Sequence, residues 1–202
     1  RTDTGVHARG QVITFDLNWR HDVNELQRAL NAIVDPAISF RDTAICDPRF
    51  HARYSATSRT YIYRLYCSAI RDPLRERYMW QVRTELNVDA MNMAAQKLLG
   101  EHDFAGFGQP TSGSSTIRRI DRVLCQAVAA DEITFTIKGS GFLRGMVRRI
   151  VGALVQIGLG DWPVSRMDDL LLQKDINESA PPAPPQGLIL WHVCYDDHGA
   201  AD

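Results

Sequence analysis

The sequence predicts an α+β chain with a mixed, largely antiparallel sheet flanked by helices. Three observations carry this reading. Runs such as Glu132 to Lys138 alternate apolar and polar residues, the pattern of strands with one buried face. Between them lie stretches with apolar residues at helical spacing and capping residues at their ends. The strand-like runs keep a polar face and no internal repeat occurs, which favours α+β over a doubly wound or solenoid architecture.

Taken in order, residues 1–10 are polar, carry Gly5 and Gly10, and read as a loop. Gln11 to Leu17 alternate, with Ile13, Phe15 and Leu17 on one face, and predict a half-buried strand. Asp22 with Glu25 three residues later opens a helix through Leu26, Ala29, Leu30 and Ile33, closed by Pro36. A second strand is expected over Ile38 to Cys46. Thr60 to Cys67 alternate again, with Tyr61, Tyr63 and Leu65 on one face. Asn87 to Leu99 predicts a helix ended by Gly100. Glu132 to Lys138 turns Ile133, Phe135 and Ile137 inward. Phe142 to Gly158 predicts a long apolar helix, and Ser165 with Asp168 starts a shorter one. A Pro-rich connector, Ser179 to Gln186, leads into a last strand, Leu188 to Tyr195.

Composition narrows the function classes. The hydrophobic share is 45% and the charged share 23%, ordinary for a globular protein. No apolar run approaches the ~20 residues of a membrane span, and no signal peptide is legible. Four cysteines, at 46, 67, 125 and 194, are too scattered for a disulfide framework or a Cys-rich zinc site, and fit a reducing cytoplasm. Net charge is −1, which excludes a globally basic nucleic-acid binder. The distribution is more telling. From Arg49 to Arg83 lie eight arginines against two acids, Asp72 and Glu76, so the stretch carries 8 − 2 = +6. Planar guanidinium groups suit a phosphate backbone, although a solvated Arg-rich surface would look the same.

Several local motifs are decoys. Asp3-Thr4-Gly5 spells the aspartic-protease triplet, but those enzymes need two aspartates sharing a proton, and one copy occurs here. Gly139-Ser140-Gly141 hints at a dinucleotide loop, yet the sixth position of that pattern is Arg144, and the preceding strand alternates. The six histidines form no HExxH or other metal spacing, so no metal or cofactor is expected. The helix predicted from Phe142 is more informative. Arg144 and Arg148 stand at i and i+4 and so are expected to share one helix face, among Met146, Val147, Ile150, Val151 and Leu154. A buried arginine needs an anion, either a carboxylate or a phosphate.

Three blocks then carry a family resemblance. Residues 1–12, RTDTGVHARGQV, closely resemble the active-site loop of tRNA pseudouridine synthases of the bacterial synthase A type. Phe50-His51-Ala52-Arg53-Tyr54-Ser55-Ala56-Thr57, through Arg59, Tyr61 and Tyr63, is similar to the family's second block. Phe142 to Gly152 is similar to its third. Weaker matches at Leu98-Leu99-Gly100 with Asp103-Phe104, Thr116-Ile117-Arg118, and Gly187-Leu188 with Val193 and Tyr195 extend the likeness to about residue 195.

The resemblance implies a pseudouridine synthase fold with its catalytic cleft between two subdomains. The expected division is 1–46, the remainder of an N-terminal subdomain with the catalytic loop, and 47–202, the C-terminal subdomain. It implies an isomerase acting on uridines 38 to 40 of the tRNA anticodon stem-loop, as a cytoplasmic homodimer without cofactor. Asp3 falls on the catalytic aspartate, the nucleophile. Arg1 falls on the arginine that helps turn the base out, and Tyr61 on the tyrosine that packs on the uracil. Arg148 falls on the arginine paired with the aspartate. Arg53, Arg59 and Arg144 are the further expected RNA contacts. Two departures are visible. The loop reads Asp-Thr-Gly where the family has Asp-Ala-Gly, and the family carries a strand and helix ahead of the loop. A chain opening with Arg inside a loop is expected to be a fragment, and the alternative reading is a catalytically idle RNA-binding fragment of such an enzyme.

Overall fold

In the computed structural model, which describes residues 2–111 and 113–196, the elements run β1 (His7–Ala8), α1 (Val23–Ile33), β2 (Ala56–Cys67), β3 (Trp80–Val82), α2 (Val88–Gln96), β4 (Gly100–Asp103), β5 (Ile117–Ala127), β6 (Glu132–Gly139), α3 (Met146–Leu159), α4 (Arg166–Gln173) and β7 (Leu188–Tyr195). They fall into two compact units. The first joins Arg1–Gln11 to Thr57–Cys194, and the second joins Val12–Ala56 to Tyr195–Asp202.

The first unit is built on one mixed, mostly antiparallel sheet in the order β1-β7-β2-β6-β5-β4, with β3 parallel to β2 off that path. β2 and β6 pair antiparallel from Arg59↔Gly139 to Tyr66↔Glu132, which sets Tyr61 opposite Ile137. The alternation of β6 is kept: Ile133, Phe135 and Ile137 are buried, and the residues between them are half-buried. α3 lies in the same apolar core, with Ile150, Val151, Ala153 and Leu154 buried, so it is apolar nearly all round, as a core helix must be. α2 is capped by Asn87, whose side chain accepts from Ala90 N–H at 2.9 Å, and it turns Met91, Ala94 and Ala95 inward. β4 pairs β5 only from Ile117 to Ile120. Beyond that pairing the Asn92 amide exchanges two 2.9 Å hydrogen bonds with the Cys125 backbone.

The expected elements at Thr60–Cys67, Asn87–Leu99, Glu132–Lys138, Ser165 onward and Leu188–Tyr195 are present, with ends shifted by a few residues. Four corrections stand beside them. Gln11–Leu17 forms no strand, and Ile13, Phe15 and Leu17 are exposed. Ile38–Cys46 forms none either. Its backbone at Phe40 is bonded instead by the side-chain amides of Gln27 and Asn31, so α1 takes the role a neighbouring strand would have had. The long helix starts at Met146 rather than Phe142, because Gly145 adopts a left-handed φ of 76°, which a right-handed helix cannot continue through. Strands β1, β3, β4 and β5 were not expected; β5 carries an irregularity between Ile120 and Arg122 that shifts the phase of its apolar residues.

The second unit holds α1, capped by the Asp22 carboxylate accepting from Asn24 N–H at 2.7 Å. Glu25 does not complete a capping box, and instead faces His21 at 3.4 Å and Arg28 at 3.9 Å. Elsewhere in this unit Tyr195 donates its hydroxyl to the Ala52 carbonyl at 2.8 Å and stacks edge-on with Phe50.

Candidate active site

The Asp3 loop is shaped by its glycines. Val6 N–H donates to the Asp3 carbonyl at 3.1 Å, closing a four-residue turn with Gly5 at φ 79° in its third position. Thr4 is not in the positive-φ region, so this is a type II turn, and glycine is the residue it asks for. A side chain at Gly5 would also press on Pro185 Cγ at 3.0 Å. β1 then pairs parallel with β7, His7↔Ile189 and Ala8↔Leu190, and Arg9 and Gly10 N–H both donate to the Leu190 carbonyl. The turn that presents Asp3 therefore hangs from β7.

Arg148 comes from the first turn of α3. Its Nε donates to the Ala183 carbonyl at 2.6 Å, and Ala183 N–H returns a bond to the Arg148 carbonyl at 3.0 Å. With that edge of the guanidinium occupied, Nη1 lies 3.9 Å from Asp3 Oδ2. This is charge contact, longer than a hydrogen bond. The Arg148 side chain is 17% exposed and that of Asp3 36%, so water reaches the carboxylate more readily than the guanidinium. Arg149 stands beside it, donating to the Ala180 carbonyl at 3.2 Å. Burial, and then the charge of Arg148, hold its pKa below the usual arginine value. No acid occupies the first turn of α3. Two cations at the positive end of a helix dipole make this corner attract anions.

Tyr61 projects from β2, edge-to-face with Phe142 at 5.3 Å and 89°. Burial raises its phenol pKa; the Arg59 guanidinium lowers it and the Asp3 carboxylate raises it further, so the net shift is upward and the ring is neutral at pH 7. Arg59 donates from Nη1 to the Ser140 carbonyl at 2.6 Å. Tyr63, two residues on, is fully buried and donates to the Pro184 carbonyl at 2.8 Å.

Within the first unit Asp3 thus faces Arg148, and the charges of Asp3 and Arg59 both act on Tyr61. Arg144 does not join them by any described contact. It is exposed before α3, where its Nη2 donates to Gln109 Oε1 at 3.0 Å, so the expected shared helix face with Arg148 does not exist. Arg53 belongs to the second unit and lies over the Tyr54 ring at 5.4 Å. Arg1 lies outside the described residues. Among the described residues no group of three or more His, Cys, Asp or Glu side chains is placed to hold a metal ion. No helix among them is long and apolar enough to cross a membrane.

Two positioning groups escaped the sequence. The Ala183 and Pro184 carbonyls, within what reads as a linker, orient Arg148 and Tyr63; backbone groups leave no mark in residue type. Ala180 and Ala183 are buried, so the Pro-rich stretch is part of the core. Small apolar residues among its prolines were the available signal.

The fold is that of a pseudouridine synthase, a mixed and mostly antiparallel sheet flanked by helices, here with a carboxylate turn on its β7 side and an α3 arginine beside it. A family model described as tRNA pseudouridine synthase matches residues 94–196. The tRNA pseudouridine synthase A of Syntrophotalea carbinolica is 40% identical over 197 residues, spanning 96% of this chain and 77% of that protein. That of Chlamydia trachomatis serovar L2b is 41% identical over 199 residues, 96% and 74%. That of Fervidobacterium nodosum is 38% identical over 197 residues, 96% and 80%. The chain belongs to the tRNA pseudouridine synthase family, isomerases that act on tRNA.

Proposed function

We propose that this protein converts uridine to pseudouridine at positions 38 to 40 of the tRNA anticodon stem-loop, with Asp3 as the nucleophile. The observation that supports this reading is Asp3 Oδ2 at 3.9 Å from Arg148 Nη1, with the Tyr61 ring within electrostatic reach of the same carboxylate.

In the reaction the N1–C1′ bond breaks, the uracil turns, and a C5–C1′ bond forms. The C5 hydrogen leaves as a proton and N1 takes one up, so the product is an isomer. A carboxylate is ionised at neutral pH and needs no neighbouring base to activate it, unlike a serine. The Arg148 guanidinium lies beside the carboxylate, and Ala183 holds it in place. The target uridine leaves its stack at a cost of a few kcal/mol. Stacking on Tyr61 returns roughly 1–3 kcal/mol. Arg1, Arg53, Arg59 and Arg144 are assigned to the RNA, and the working form to a cytoplasmic homodimer.

Tritium release from tRNA labelled at uridine C5 tests the reading. The wild-type chain should release label and Asp3→Asn should not, while both retain tRNA in a filter-binding assay. Label released at positions other than 38 to 40 would overturn the site assignment. Turnover by Asp3→Asn above background would remove Asp3 from its role. Binding without release by the wild-type chain would favour an idle RNA-binding protein.

A further inference from the structure

The Asp3 turn needs more than β1 to hold it. β1 is two residues long, a short pairing on which to hold a turn. Gly5 rests against Pro185 on the β7 side. A further anchor lies in a different direction. His7 Nε2–H donates to the Arg77 carbonyl at 3.0 Å, and its ring lies 4.9 Å from the Tyr78 ring. The segment it reaches, 71–78, is itself tied down. Arg75 forks onto Asp131 at 2.6 and 3.3 Å, stands 3.7 Å from Glu132, and covers the Tyr66 ring at 4.5 Å. Asp72 N–H donates to the Tyr66 hydroxyl at 3.1 Å. Tyr66 and Glu132 are register partners in β2 and β6. A continuous set of contacts therefore runs from the β2–β6 pair, through 71–78, to the residue where the Asp3 turn passes into strand.

We propose that His7 is a positioning residue, which braces the Asp3 turn against the 71–78 segment so that turnover depends on the His7–Arg77 and His7–Tyr78 contacts. The inference rests on the reading of Asp3 as the reacting carboxylate. His7 itself touches neither Asp3 nor Arg148 in any described contact; its effect passes through the turn. Displacing a reacting group by ~1 Å can cost on the order of 100-fold in rate, so a loosened turn acts on kcat before it acts on RNA binding.

The experiment compares His7→Ala, His7→Gln, Tyr78→Ala and the His7→Ala/Tyr78→Ala double variant by tritium release, with thermal midpoints measured alongside. His7→Ala should lower kcat by about 10- to 100-fold with KM for tRNA within about twofold. His7→Gln, whose amide N–H can reach the Arg77 carbonyl, should recover most of that loss. The double variant should be little worse than His7→Ala, since both remove one brace. Unchanged kcat in His7→Ala overturns the proposal. So does a raised KM at intact kcat, which makes His7 an RNA contact. A loss that tracks the thermal midpoint and that His7→Gln leaves uncorrected makes it structural only. Asp3→Asn is run in parallel. If it turns over, the reading of Asp3 fails; if it is inactive while His7→Ala runs at full rate, only the brace fails.

Discussion

Strand β6 and the segment from Gln11 to Leu17 each set three apolar side chains at alternate positions, Ile133, Phe135 and Ile137 in one and Ile13, Phe15 and Leu17 in the other. The first lies between β2 and β5 with its apolar face in the core. The second forms no strand, and Phe15 is 51% exposed. The difference lies in neighbours. Alternation names the face a strand would bury, but hydrogen-bonding partners on either side decide whether the strand forms. The same contrast recurs between Arg148, held by Ala183 beside Asp3, and Arg144, which reaches Gln109 instead.

The sharpest break of the comparison is truncation of the matched aromatics. Phe135→Ala empties a fully buried site and should lower unfolding free energy by ~3–5 kcal/mol in denaturant titrations. Phe15→Ala should stay within about 0.5 kcal/mol of the parent. Equal losses would mean that the 11–17 segment is packed after all. Next come the arginines. Arg148→Met should reduce kcat/KM for tRNA by about 10²- to 10³-fold through loss of charge beside Asp3. Arg144→Met should cost tenfold at most, as roughly one surface contact to RNA. Reversed magnitudes would exchange their roles.

The smallest effect concerns charge in the two units. Asp103 is held below the usual carboxylate range by the Thr116 hydroxyl and then by Lys174, at 2.6 and 2.9 Å. A carboxyl depressed on folding contributes stability above its unfolded value, near ~3.9, and loses it as pH falls through the lower folded value. Asp103→Asn should therefore flatten the acid limb of the stability–pH curve below about pH 4, and an unchanged limb would discard the argument. Asp47 in the second unit is lowered to about 2 by Arg49, but both groups are solvated, so salt should erase its contribution first.

Much of the first unit was legible. β6 and β2 alternate, Asn87 caps α2, and α3 is apolar on most sides. The candidate site was legible as a set of residues, because Asp3, Tyr61 and Arg148 sit inside three blocks resembling those of the family. β5 was not, since the irregularity at Ile120/Arg122 puts Ile120, Val123 and Cys125 out of phase. Arg144 and Arg148 do not share a face, because Gly145, ordinary by its letter in a helical run, takes a left-handed φ of 76°.

Residue order alone determined which stretches alternate or carry helical spacing, and that Asp22 and Asn87 stand where α1 and α2 are capped. These are local properties, written in spacing and side-chain type. Tertiary structure alone decided that the Asp3 turn hangs from β7, that Ala183 aims Arg148, and that His7 reaches across 70 positions to the Arg77 carbonyl. Those choices are made by backbone groups far apart in the chain, and a carbonyl carries no letter in the sequence.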